Sequence, residues 1–231
     1  MYKFEIGMGI IIIAFLWFVA NYEHDAASTD WDFVSDILLR APDSDTGPVV
    51  WRWTYPPTVT VKVGSAEEIA AVKGAVWEVN QLLSDTNMGV HYSNDSSQGD
   101  IEFTFVSRAE FAKHRAVTWE HKELINIKGF WIPNQRERGR LDNASIVVFT
   151  NQSEGSKWGT ILHELGHSLG LVGHSSHYLS SLYFKNHNGG SISDGFSSDD
   201  RKLLRFLYSH LEAGYDEIKT REIFDSYWVV R

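Results

Sequence analysis

The chain has 231 residues, 43% hydrophobic and 13% aromatic, with nine Trp and no Cys. That composition excludes a disordered tail, and the lack of Cys excludes a disulfide frame, a lipoprotein anchor and a cysteine-type latent zymogen. With 21 Lys plus Arg against 30 Asp plus Glu, the net charge of -9 argues against a nucleic-acid surface, so no nucleic-acid partner is expected.

From Ile6 to Tyr22 no residue is charged, and as a helix this stretch would span about 25 Å. Lys3 precedes it, Glu23 and Asp25 follow, and Trp17 and Tyr22 suit a membrane interface. Residues 1–25 therefore read as a membrane anchor or signal segment, with the rest of the chain on the far side of the membrane. Bulky Phe18 two residues before Ala20, and Asp25 two before Ala27, make poor cleavage sites, which favours an uncleaved N-terminal hydrophobic helix. Residues 26–57 read as a linker or N-terminal wrap, since Pro42, Gly47, Pro48, Pro56 and Pro57 break regular structure. The remainder, 58–231, is long enough for one domain with its own core.

Within it, Thr58 to Val63 alternates and is β-branched, which predicts a first strand. Ser65 offers an N-cap, with Glu67 and Glu68 in the first turn of a helix running to about Ser84. Asp100 to Val106 alternates cleanly and predicts a half-buried strand. Arg136, Arg138 and Arg140 form a basic cluster expected in a solvated loop with Pro133, Asn134 and Gly139. Ala144 to Thr150 predicts another strand.

The segment from Thr160 to His174 carries the chemistry. With about 3.6 residues per turn, His163 and His167 lie about 40° apart around a helix and one turn apart along it, so both rings can reach one ion. Glu164 lies about 100° from His163, too far round to ligate beside both rings but near enough to reach a water on the metal. It is the candidate general base. A zinc ion (Zn2+) with three protein ligands keeps a fourth position for that water and lowers its pKa to about 7. Gly170 suits a helix C-terminus and turns the chain back, which would bring His174 to the ion, with His177 as the rival third ligand. Beyond, Ser197 or Ser198 is a candidate N-cap and Asp199 and Asp200 suit the positive end of a last helix.

These residues resemble the metzincin signature of zinc endopeptidases, His-Glu-x-x-His-x-x-Gly-x-x-His, except that His174 falls one position late and Gly173 stands where that family has its ligand. Asp100 to Val106 is similar to a strand of the matrixins, and Ser197 to Tyr208 is similar to their Ser-x-Asp-Asp cap and Leu-Tyr ending. The resemblance implies a Met-turn near Ser180 to Phe184. No Met follows Met88, so Leu182 is the candidate for that position, an exchange of comparable apolar volume. It also implies that Tyr183 either hydrogen-bonds a developing oxyanion or packs as a buried ring, and that an edge strand near Ile146 to Thr150 holds a substrate extended.

Together these readings predict an α+β, metzincin-like zincin domain with a twisted mixed sheet, a long first helix, a zinc-binding helix and a C-terminal helix. The function expected is a zinc metalloendopeptidase acting on a protein or peptide substrate, exported or membrane-tethered through its N-terminal segment. The alternative is a zinc-binding protein of the same fold that binds peptides without useful turnover. A structural zinc site is disfavoured, since such sites close the fourth position, often with Cys.

Overall fold

The computed structural model describes residues 29–39, 47–97, 99–114, 127–137, 139–178, 182–183 and 195–228. The proposed anchor at 1–25 lies outside these residues, and no helix among them is long and apolar enough to cross a membrane. Among the described residues, six helices accompany one sheet. Helix α1 covers 29–38; β1 is Thr58–Val63, α2 Ala66–Leu82, β2 His91–Tyr92, β3 Ile101–Val106 and α3 Arg108–His114. They are followed by β4 Gly129–Glu137, β5 Arg140–Phe149, α4 Glu154–Ser168, α5 Ser198–His210 and α6 Glu217–Tyr227.

Local signals account for most of these elements. Ser65 caps α2 in a full capping box with Glu68, and Ser197 caps α5 in the same way with Asp200. In β3, Ile101, Phe103 and Phe105 are buried while Glu102, Thr104 and Val106 are only partly so, the period-2 pattern of a strand with one face on the core. The sheet order is β2-β1-β3-β5-β4. The pairs β2–β1, β1–β3 and β3–β5 are parallel, and only β4 runs antiparallel, against β5. A parallel pair needs a crossover, which α2 provides after β1. Helices and strands therefore interleave in a mixed α/β fold instead of segregating as an α+β domain would.

Two expectations are corrected. The strand read as a substrate-holding edge, Ile146 to Thr150, belongs to β5, which is flanked on both sides by β3 and β4; the edge is β4. The basic stretch read as a loop lies, in its described residues, on a hairpin: Pro133, Asn134 and Arg136 are in β4, Gly139 has φ 78, and Arg140 opens β5, its Nε 3.0 Å from Asp142, while Arg138 lies outside the described residues. Proline misleads here because an edge strand tolerates it. The described parts of residues 26–57, read as a linker or wrap, also contribute buried side chains to the core. Phe33, Val34, Ile37 and Leu38 of α1 are buried, as are Val49, Val50, Trp51 and Trp53.

Candidate metal centre

Helix α4 presents its histidines from the middle of the core. Ser153 caps its start. Its end is closed by a Schellman turn: Gly170 N donates to His167 O at 3.0 Å and Leu171 N to Gly166 O at 3.1 Å. Gly170 has φ 106, and a Cβ there would lie 2.1 Å from Trp51 O, so conformation and space both demand glycine. Two carbonyls of the last turn find side-chain donors, Trp53 Nε1 to Ser168 O at 2.7 Å and Tyr208 Oη to Leu169 O at 2.8 Å. A lysine–glutamate pair, Lys157 Nζ to Glu68 Oε1 at 3.1 Å, ties α4 to the start of α2.

After the turn the chain doubles back and brings His174 to the other two imidazoles. His163 Nε2 lies 3.0 Å from His167 Nε2 and 3.2 Å from His174 Nε2. Among the described residues these three form the only group of His, Cys, Asp or Glu able to hold one ion. His177 lies apart from them, its Nε2 4.0 Å from Asp32 on α1. The far side of each helical imidazole explains the arrangement. His163 Nδ1 donates to Leu182 O at 2.8 Å, and His167 Nδ1 donates to Leu171 O. A carbonyl can only accept, so both Nδ1 atoms carry the proton and both Nε2 atoms present lone pairs to each other. Lone pairs facing across 3.0 Å repel unless a cation lies between them. For tetrahedral zinc with Zn–N of about 2.05 Å, ligand nitrogens sit about 3.3 Å apart, close to the spacing found. The donor set therefore fits a zinc-like ion.

Electrostatics keep the two helical imidazoles, His163 and His167, neutral in the metal-free chain. Burial, reinforced by His174, pushes His163 down to about 3, and burial with the two neighbouring imidazoles holds His167 well below its usual value. Glu164, next to His163 on α4, is pushed up to about 8 by burial. A carboxyl raised that far is largely protonated at neutral pH, and a cation held by the neighbouring imidazoles would favour its ionised form.

Leu182, read as the Met-turn position, is buried, and its backbone does more than fill space. Its carbonyl orients His163, and its N–H donates to Asp200 Oδ2 at 3.0 Å. The same oxygen accepts from Ser197 N at 2.9 Å, so the cap of α5 also fixes the floor of the site. Tyr183 is fully buried and stacks on the His163 ring with centroids 5.1 Å apart. Its hydroxyl donates to His163 O at 3.3 Å. That directs the hydroxyl to the backbone of the helix. Trp131 of β4 stacks on His167 at 5.9 Å, which puts the edge strand beside the imidazoles.

Sequence reasoning missed these supports. Leu171 and Leu182 act through backbone groups, which leave no mark in a motif, and Asp200 was legible as a helix cap but not as the acceptor that holds Leu182. Trp131 lay in a stretch with no strand reading. The spacing of Phe33, Val34, Ile37 and Leu38, by contrast, is helical and would have revealed α1.

No curated protein matches the chain. Two solved structures of myroilysin are similar to it, both at 14% identity and a TM-score of 0.41; one alignment covers 70% of this chain and 97% of that one, the other 77% and 94%. A family model described as a protein of unknown function, DUF2927, matches residues 28–226, and the chain belongs to that family.

Proposed function

We propose that the protein is a zinc-dependent endopeptidase in which His163, His167 and His174 hold the metal and Glu164 is the general base. The observation that carries this reading is the convergence of three imidazole Nε2 atoms, with two of the opposite nitrogens committed to carbonyls. Zinc bound there supplies Lewis acidity, polarising a carbonyl and lowering the pKa of water to about 7. Glu164, as the carboxylate that a neighbouring cation favours, would accept a proton from the attacking water and return it to the leaving amine. Leu171 O and Leu182 O hold the rings in one tautomer and orientation throughout. A protein or peptide substrate would lie extended along β4, the sheet edge whose Trp131 borders His167, using main-chain pairing.

The anchor reading of residues 1–25 extends the proposal to a membrane-tethered or exported enzyme. The rival function, a zinc-binding protein that holds peptides without turnover, keeps every contact above and differs only in catalysis. Digestion of a peptide library by the zinc-loaded chain separates the two. Cleavage that disappears on chelation and returns with zinc is the expected result, whereas a loaded chain that binds peptides and cleaves none overturns the peptidase reading.

A further inference from the structure

His163 and His167 are set by the helix that carries them, but His174 lies beyond its end, in a loop, and that loop is fastened to α1. Gly173 N donates to Ile37 O at 2.9 Å, and Ser175 Oγ donates to Asp36 Oδ2 at 2.9 Å. These contacts fall on the residues immediately before and after His174. Further along, the Tyr178 hydroxyl bonds the Asp30 carboxylate, and the Tyr178 ring meets Phe33 edge-on with centroids 4.8 Å apart. Tyr178 holds φ 56, a left-handed conformation that a non-glycine residue keeps only where its surroundings impose it. Asp30 also accepts from Trp228 Nε1 at 2.6 Å, so the residue following α6 secures α1 in turn.

Gly173 shows how close the two segments come. A Cβ there would lie 1.9 Å from Asp36 O and 3.1 Å from Ile37 Cα, both backbone atoms. Its φ lies outside the left-handed region. The approach of α1, not backbone conformation, is what requires glycine before the third imidazole.

From these contacts we infer that α1 is a positioning element of the metal centre: Asp36 through Ser175, and the backbone of Asp36 and Ile37 against Gly173, set where His174 meets the ion. The inference rests on the metal-binding reading above. Asp36 and Gly173 are positioning residues, since neither touches the ion or a substrate.

The test uses the full chain loaded with Co2+ alone. It reads the visible absorption spectrum, which reports ligand geometry, and the rate at which excess chelator removes the metal. Supporting residues around a metal site typically change affinity by about 10- to 100-fold when mutated. Asp36→Ala and Gly173→Ala are expected to shift the spectrum and release metal on the order of 10-fold faster than wild type. Asp36→Asn, which keeps an acceptor for Ser175, should stay close to wild type. Wild-type spectra and release rates in both alanine variants would overturn the inference, even if the metal-free melting temperature fell, because α1 would then be only a structural clamp. If Gly173→Ala does not fold, Asp36→Ala and Asp36→Asn decide the matter. A wild-type chain that takes up no Co2+ would instead remove the metal centre itself.

Discussion

At the scale of single residues, the site separates ligands from the groups that aim them. His174→Ala should lower zinc affinity markedly, whereas His177→Ala should leave it unchanged, because the His177 ring faces Asp32 and not the cluster. Titration with a competing chelator checks both, and equal affinities in the two variants would contradict the ligand set. Glu164→Gln should retain zinc and lose about 10²- to 10⁴-fold in peptide hydrolysis, the usual contribution of a positioned acid or base. Undiminished turnover in that variant would remove Glu164 from the mechanism.

At the scale of elements, the parts legible in the sequence are those whose cause is local. The Ser65 and Ser197 caps, the alternation of Ile101 to Val106, and the turn at Gly170 each rest on a few neighbouring residues, and each appears in the structure where its residues pointed. The two helical histidines were legible for the same reason, since one turn of helix places both rings. What was not legible depends on partners distant in the chain. β5 looks like an edge until β3 and β4 are known to flank it, and Pro133 reads as a breaker until β4 is known to lie at the rim. Gly173 looked like a displaced ligand position, and only α1 explains it. The Gly170 turn yields a prediction at this scale. Gly170→Ala should destabilise the fold by about 1–3 kcal/mol through its φ alone, and by more if Trp51 cannot retreat. Urea denaturation measures this, and an unchanged midpoint would show that the turn relaxes freely.

At the scale of the whole molecule, the metal centre is a point where burial works against the unliganded chain. His163 is held near 3 and His167 well below normal, whereas the unfolded chain protonates histidines near a pKa of about 6.5. Acidification below about 6.5 therefore favours unfolding, since the unfolded state binds the protons. Glu164 has the opposite sign: with its folded value at about 8, its contribution is complete below its unfolded pKa and is lost as pH rises through the folded one. Two histidines outweigh one carboxyl on the acid side, so the contribution of these three groups peaks at about pH 6.5. Zinc binds the folded state and should raise stability by about 2.7 kcal/mol at a free concentration one hundred times Kd. Thermal scans of the chain in chelator, repeated with added zinc at pH 7.5, are expected to show a clear rise in Tm with the metal. Superimposable melts would mean that folding and the centre are not linked.

In the proposed centre three imidazoles share one ion while a corner stays open to water. Zinc-edge X-ray absorption on the loaded chain measures that directly. The expected spectrum gives one zinc per chain with three nitrogen ligands at about 2.0–2.1 Å and an oxygen in the remaining position. A chain without stoichiometric zinc, or an ion enclosed by four protein ligands, would contradict it.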